Sequence, residues 1–485
     1  MKTDKIITAV STAVGKGGIA IVRMSGKGCF ALVREVFVSV RLSADAVAVP
    51  NKMYFGRIDA GGVSDVGYAV FFGAPHSFTG EDTVEFHCHG SEAFAAALVG
   101  RLCAVGASPA ARGEFTKRAF LNGKLTLSDA EGVIDMIRAD SEASLKAAYR
   151  MMSGGLSKEI YALQTRLLAV IAGLEAALDY PEEFGGIEAG YAGEIGAVRE
   201  RARELVSASR QGGIIKKGAA VALVGAPNTG KSSLLNRFLN KDRAIVTDIA
   251  GTTRDTLEES VEYRGVRLNL IDTAGLREGT SDAIEKRGIE RSFSAAKGAD
   301  FVVYVLDGAE IGNTAVGNAA TGNVGDIEAY SDEVVRAKAF LKDFEKDAVA
   351  VVLNKTDLLE KEEQAKSNKG ADRLAAKLSE EFEEYAFFAV SAVTGEGIER
   401  LLTHIAERFM GGGGDAEIMT NERHIYAVKR AKEALDSAVS GFGNEGTECV
   451  LVDLKAAWFA LGEITGQTAS EAIVDEIFSK FCLGK

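Results

Sequence analysis

Residues Gly225–Ser232 read GAPNTGKS, directly behind the apolar run Ala219–Val224 and ahead of a helical stretch. No other feature restricts the fold as much. The GxxxxGK[ST] pattern needs a strand that delivers a glycine-rich turn to a helix N-terminus, so that backbone N–H groups and the helix dipole face a phosphate. Thr229, Gly230 and Ser233 complete that loop. Lys231 supplies a point charge to the β- and γ-phosphates, and Ser232 offers a hydroxyl to Mg2+.

The pattern alone can arise by chance, but three further elements follow in order, each behind a predicted strand. Asp272, Thr273, Ala274 and Gly275 place a carboxylate to hold Mg2+ through water and an amide to meet a γ-phosphate. Asn354, Lys355, Thr356 and Asp357 place an aspartate that accepts from both N1–H and the exocyclic amine of guanine, a pattern adenine does not offer. Ser391 and Ala392 then support the base through backbone N–H. Together they predict GTP as the nucleotide.

The strands carrying these motifs are Ala219–Val224, Arg267–Ile271, Asp300–Leu306, Ala348–Leu353 and Tyr385–Val390. They are continuous apolar runs separated by helical stretches, which predicts a buried, mostly parallel sheet. The chain up to about Phe120 is β-rich and broken by glycines, with strands expected at Ile19–Met24, Val66–Phe72 and Thr83–Cys88 in a compact α+β domain. Helical character follows. Ser128 with Glu131 predicts a capping box ahead of Val133, Ile134 and Ile137. Ile160, Leu163, Leu167, Ile171, Leu174 and Leu178 share one helix face as bundle core, with Pro181 and Gly185-Gly186 ending the helix. Gly411–Gly414 marks a boundary, and the helical remainder is too short to stand alone, so it is expected to pack back on the earlier helices.

The expected fold is multidomain α/β. It comprises an N-terminal α+β domain (1–120), a discontinuous α-helical domain (121–217 and 415–485) and an inserted P-loop G domain with a mostly parallel sheet (218–410). A length of 485 residues, 47% of them hydrophobic and 26% charged, suits about three globular domains. The net charge of −13 argues against a surface that grips nucleic acid over its whole extent, so an RNA contact would be local or shared with a partner. Cys29, Cys88, Cys103, Cys449 and Cys482 form no CxxC pair, which points to reduced thiols in a cytoplasmic protein. The N-terminus is polar and the apolar runs end quickly in glycine, proline or charge, so neither a signal peptide nor a membrane span is expected.

Many small GTPases place a glutamine after the DxxG motif to orient the attacking water. Here that position is Leu276, an apolar side chain, so another group must orient the water and some cation must answer the transition-state charge. The segment Thr247–Asp255, TDIAGTTRD, lies in the switch I position, with Thr253 available to Mg2+. Neutral oxygens from Asn228 and this segment suit a monovalent cation.

The motifs GAPNTGKSSLLN, TDIAGTTRD and DTAGLRE resemble the potassium-activated TrmE-Era-EngA branch of GTPases. The segments FTGEDTVEFHCHG (Phe78–Gly90), GEFTKRAFLNGKLTLSDAEGVIDMI (Gly113–Ile137) and FCLGK (Phe481–Lys485) narrow the resemblance to the MnmE (TrmE) family of tRNA modification GTPases, over essentially the whole chain. The resemblance implies an N-terminal folate-binding domain that also forms a homodimer, and a G domain whose own dimerisation is transient. It implies a heterotetramer with an MnmG-like, FAD-dependent partner that carries the FAD. Together these install an aminomethyl or carboxymethylaminomethyl group on the wobble uridine of certain tRNAs, from a tetrahydrofolate one-carbon unit. It implies K+ at Asn228, Thr247, Ile249 and Thr252, Mg2+ at Ser232 and Thr253, and nucleotide contacts from Asp248, Ala250 and Gly251. Glu285 would orient the catalytic water indirectly, and Arg23, Glu81, Lys124 and Lys485 would bind a formyl-tetrahydrofolate. The chemistry is consistent: a pterin amidine edge pairs with a carboxylate, and an anionic tail calls for cations.

The chain departs from the family in places. It reads PNTGKS where PNAGKS is commoner, at a backbone-contributing position, and one extra residue lies between Asp272 and Glu285. A polar insertion at Gly308–Tyr330 and a charged one at Glu360–Lys377 read as disordered or surface loops. His87 and His89 share a strand face, but two ligands without a third make a poor zinc site. Cys482 reads by itself as a helix-packing thiol, while the resemblance implies a place near the folate site, exposed to reactive one-carbon chemistry. The competing reading is a ribosome-assembly or RNA-binding GTPase switch without modification chemistry; such proteins usually carry a basic module, whereas the flanks here are acidic overall.

Overall fold

A computed structural model describes residues 5–39, 49–184, 188–241, 258–272, 293–312, 332–362, 370–410, 419–442 and 446–485. They fall into two compact units. One holds Met1–Arg138, Lys146–Ser207 and Glu422–Lys485; the other holds Ala139–Leu145 and Ala208–Asn421. Thr247–Asp255, Thr273, Ala274, Gly275, Leu276, Glu285 and Gly411–Gly414 lie outside the described residues, as do the middles of both insertions; of the described parts, 308–312 and 370–377 are helical rather than loop, because Ile311 and Leu374 are buried in a core.

The first unit begins with a seven-stranded sheet in the order β3-β4-β5-β6-β2-β1-β7. The strands are β1 (Ile7–Val10), β2 (Gly17–Ser25), β3 (Phe37–Val38), β4 (Met53–Asp59), β5 (Ser64–Phe72), β6 (Thr83–Gly90) and β7 (Ser108–Pro109). Alternation sends Val22, Met24, Ala69, Phe71, Val84 and Phe86 into a core shared with α1 (Cys29–Val33) and α2 (Glu92–Ala104), where Leu98 and Leu102 are fully buried. The register pairs Arg23 with Glu85 across β2 and β6.

Next come α3 (Glu114–Leu121), α4 (Leu127–Arg138), α5 (Glu142–Met152), α6 (Gly155–Asp179), α7 (Pro181–Phe184) and α8 (Glu188–Lys217). The expected capping box at Ser128 and Glu131 is displaced. Thr126 caps α4 instead, with Asp129 N–H donating to Thr126 Oγ1 (3.1 Å) and Thr126 N–H donating to Asp129 Oδ2 (2.9 Å). The reason is Leu127, which is fully buried with Phe478 and Phe481, so the helix starts there and both Ser128 and Glu131 fall inside it.

On α6 the expected stripe is buried except Leu178, which is 40% exposed; Ala177 takes the core position in phase with Leu174. Against expectation, α6 is long and apolar enough by length and composition to cross a membrane. Its buried face, however, is bundle core, and Gln164 Nε2 donates to the Trp458 carbonyl of a C-terminal helix (3.2 Å). Pro181 opens α7 one residue beyond Tyr180, the C-cap of α6. The unit closes with α14 (Glu422–Gly441), α15 (Thr447–Thr465) and α16 (Glu471–Ser479). The first two pack against each other, and their buried faces include small residues, Ala427, Ala431 and Ala438 on one and Ala457 on the other.

The second unit carries a six-stranded sheet in the order β13-β12-β11-β8-β10-β9. Its strands are β8 (Ala219–Val224), β9 (Glu258–Tyr263), β10 (Val266–Asp272), β11 (Phe301–Asp307), β12 (Val349–Asn354) and β13 (Ala386–Ala389). All neighbours are parallel except β9, which forms a hairpin with β10 through Arg264 and Gly265, both at positive φ (50° and 81°). This strand was not expected: its turn lacks the Asn-Gly signature of such hairpins, and EESVEY reads as polar. The described helices include α9 (Lys231–Lys241), α10 (Asp332–Leu341), α11 (Thr356–Glu362), α12 (Gly370–Glu381) and α13 (Ile398–Phe409). Every residue of β11 and β12 is buried, which explains their unbroken apolar sequence.

Candidate functional site

The glycine-rich loop leaves β8 at the centre of the parallel sheet and enters α9, the crevice where open α/β sheets bind ligands. Gly225 (φ 147°) approaches β11 so closely that a Cβ would sit 2.2 Å from the Val305 carbonyl. At Gly230 a Cβ would lie 2.3 Å from Asn354 Nδ2, which donates to the Thr229 carbonyl (2.9 Å). Glycine at that position lets the base-side asparagine brace the phosphate loop. Lys231 is buried, and its ammonium donates to the carbonyls of Gly225 (3.0 Å) and Ala226 (2.5 Å), across the hollow of the loop. Asn228 is exposed and adopts φ 66°. Ser233 is exposed on the next turn.

Ser232 Oγ donates to Asp272 Oδ2 (2.9 Å), because β10 runs parallel to β8 and ends level with the loop. A hydroxyl and a carboxylate so placed are the hard oxygen ligands that Mg2+ prefers. On the base side, Ser391 Oγ donates to Asp357 Oδ1 (2.7 Å), and Ala392 N–H donates to Asn354 Oδ1 (3.1 Å). Lys355 adopts φ 64° and pairs with Asp307 Oδ2 (2.6 Å), while Asp307 Oδ1 accepts from the Ala309 and Glu310 amides. Sequence reasoning passed over Asp307; its position at the end of a buried strand, level with the loop, was the available signal. It also passed over Glu333 of α10. Burial, countered by a backbone hydrogen bond from Asp307 and reinforced by the charges of Glu310 and Asp307, pushes its carboxyl up to about 7, with Lys231 near enough to oppose the shift.

A second constellation lies in the other unit. Arg23 on β2 donates from Nε to Glu85 Oε1 (2.9 Å), with Nη2 at 2.7 Å from the same oxygen. Its guanidinium lies 5.4 Å from the Phe78 ring centroid and 5.7 Å from that of Phe115. The C-terminal tail docks here. Cys482 O accepts from Gly113 N–H (3.4 Å), and Gly484 O accepts from Ser11 Oγ (3.0 Å). Gly484 (φ 89°) lies so close to β1 that a Cβ would be 2.0 Å from the Val10 carbonyl. Lys485 is thereby brought beside Arg23: burial first, then the Arg23 charge, holds its ammonium below the ordinary value, against the opposing pull of Glu85.

Of the four expected folate residues, Arg23 and Lys485 are thus neighbours. Glu81 accepts from Ser25 Oγ (2.9 Å) and from Arg118 Nη1 (3.1 Å), and Lys124 donates to the Pro75 carbonyl (3.1 Å). Arg118, only 4% exposed and also bonded to Glu114 and the Lys5 carbonyl, was not anticipated. His87 and His89 face separate partners, His87 towards Glu85 (3.3 Å) and His89 towards Asp65 (2.7 Å), and no group of three or more His, Cys, Asp or Glu side chains placed to hold a metal occurs among the described residues. Cys482 is exposed.

Known proteins match this chain over essentially its whole length. The family described as "MnmE helical domain" matches residues 127–482, and "GTP-binding protein TrmE N-terminus" matches residues 6–124. The tRNA modification GTPase MnmE of Natranaerobius thermophilus is 36% identical, covering 100% of both chains. That of Moorella thermoacetica is 38% identical, covering 99% of this chain and 100% of its own. That of Thermotoga maritima is 37% identical over 99% of each.

Proposed function

The chain belongs to the MnmE (TrmE) family of tRNA modification GTPases, and from that premise we propose a potassium-activated GTP hydrolase that works with an MnmG-like, FAD-dependent partner. Together they add an aminomethyl or carboxymethylaminomethyl group to the wobble uridine of certain tRNAs, using a tetrahydrofolate one-carbon unit. The observation that carries this reading is the coexistence of two chemically different sites in one chain. One is a phosphate cradle with a guanine-side carboxylate, and the other is formed where the docked tail, held by Gly113 and Ser11, brings Lys485 near Arg23.

In the first site Lys231 exchanges its carbonyl partners for phosphate oxygens, and Asp357 accepts from the guanine edge. Thr273, Ala274, Gly275 and the segment Asp248–Thr253 complete the nucleotide shell. Ser232 and Thr253 hold Mg2+, which neutralises charge on the phosphates. Potassium is held by Asn228, whose exposed neutral amide fits a monovalent cation, with Thr247, Ile249 and Thr252. Leu276 offers no polar group, and by the family resemblance Glu285 orients the water indirectly.

In the second site Glu81, pinned by Arg118 and Ser25, meets the pterin amidine, while Arg23, Lys124 and Lys485 answer the ligand's carbonyls and anionic tail. The FAD resides on the partner. The chain forms a homodimer through its N-terminal domain, with transient pairing of G domains, in the cytoplasm.

Two measurements test the reading. GTP hydrolysis should rise strongly when potassium replaces sodium, and Asn228→Ala should remove that response while leaving GTP binding nearly intact; equal rates in the two salts refute potassium activation. Deleting Cys482–Lys485 should abolish binding of 5-formyltetrahydrofolate in isothermal titration without changing the hydrolysis rate. Undiminished affinity in the truncated chain refutes the folate site as drawn.

A further inference from the structure

The guanine side of the nucleotide site is tied to the phosphate-binding helix by one side chain. Arg237 of α9 donates from Nη2 to the Thr394 carbonyl (2.6 Å). Its guanidinium rests on Gly395 (φ 88°), where a Cβ would lie 2.2 Å from Nη2 and 2.9 Å from Nε. Gly395 N–H in turn donates to the Ser391 carbonyl (2.8 Å). Thr394 N–H donates to Ser391 Oγ (3.0 Å), and Ser391 Oγ donates to Asp357 Oδ1 (2.7 Å). A continuous series therefore runs from α9 through Arg237, Thr394 and Ser391 to Asp357.

We propose that Arg237 is a positioning residue for guanine selectivity. A serine hydroxyl has one proton to donate, and the Thr394 amide occupies its acceptor side, so the proton is committed to Asp357 only while the loop keeps this shape. Arg237 keeps that shape by clamping the Thr394 carbonyl and packing against a glycine that leaves it room. Since α9 also begins with Lys231 and Ser232, the reading of the base and the grip on the phosphates are referred to one rigid element. The contact joins residues 157 positions apart, and Arg237 belongs to no nucleotide motif, so nothing local in the sequence marks it. The inference rests on Asp357 as the guanine acceptor.

The test compares GTP with inosine triphosphate, which lacks the exocyclic amine and so forgoes one of the two contacts to Asp357. Affinities for both, and for XTP, are measured by titration on the full chain, in wild type, Arg237→Ala, Arg237→Lys, Gly395→Ala and Asp357→Asn. Loss of a positioning hydrogen bond should weaken GTP about tenfold in Arg237→Ala. Inosine triphosphate should weaken less, so that the ratio of the two affinities falls. Gly395→Ala, which expels the guanidinium, should lower the ratio in the same way, and Arg237→Lys should restore part of it. A wild-type ratio in Arg237→Ala or in Gly395→Ala, whatever the melting temperature, overturns the proposal, because a merely structural role lowers stability without changing base discrimination. An Asp357→Asn chain that keeps its preference for GTP over XTP overturns the base-reading assignment instead, so the two failures appear in different variants.

Discussion

Replacing Glu131 with glutamine should destabilise the helical part of the chain in a pH-dependent way. Glu131 is buried within α4, and its carboxylate accepts from Arg423 Nη2 (2.5 Å), Arg423 Nε (3.1 Å) and His424 Nε2 (2.7 Å). Burial alone raises a carboxyl's pKa. Here the charge and hydrogen bond of His424, followed by those of Arg423, outweigh burial and hold Glu131 down to about 2, from an ordinary 4.5. That difference is worth about 3 kcal/mol at neutral pH, in line with the 3–5 kcal/mol or so that breaking a buried ion pair costs.

The folded value lies below the unfolded one. The contribution is therefore complete above the unfolded pKa and drains away as pH falls toward the folded one, with about half remaining at pH 3. Trp458, the single tryptophan, lies on α15 of the same unit, so its fluorescence follows the unfolding of this part. Urea unfolding read at Trp458 should show Glu131→Gln less stable by roughly 3 kcal/mol at pH 7, with the gap narrowing to about half by pH 3. No gap at pH 7, or an equal gap at both pH values, refutes the argument that the ion pair carries the effect.

Two more outcomes follow from the geometry. Gly484→Ala forces a β-carbon against the Val10 carbonyl at positive φ and strips the Ser11 bond, a loss of about 2–3 kcal/mol in tail docking, so 5-formyltetrahydrofolate affinity should drop by tenfold or more; isothermal titration showing wild-type affinity would remove the tail from the site. In thiol labelling of the native chain with Ellman's reagent, exposed Cys449 and Cys482 should react first. Cys29 and Cys88, whose thiols burial pushes up to about 12 and about 11, should react only after unfolding, and their labelling in the native state would contradict the buried core.

Local order was legible wherever a pattern repeats within a few residues. The phosphate loop, the aspartate ending β10, the Asn354–Asp357 motif and the buried parallel strands could each be read from neighbouring positions, because strand, turn and helix N-terminus are specified by short-range geometry and apolar periodicity. Errors arose where packing chose between adjacent phases. Burial of Leu127 put the cap of α4 at Thr126, and the helical phase put Ala177 rather than Leu178 in the core.

The sequence by itself determined the motif residues, their order and the class of chemistry they perform. Tertiary structure alone decided which distant groups meet. The register of β2 on β6 sets Arg23 against Glu85, and docking of the C-terminal tail brings Lys485 to the same place. Helix packing closes Arg423 and His424 on Glu131, and the Arg237 clamp holds the loop that orients Asp357. Each joins residues far apart in sequence, and no local propensity encodes such a pairing. It exists only because burying apolar faces leaves one arrangement in which the polar groups beside them are also satisfied.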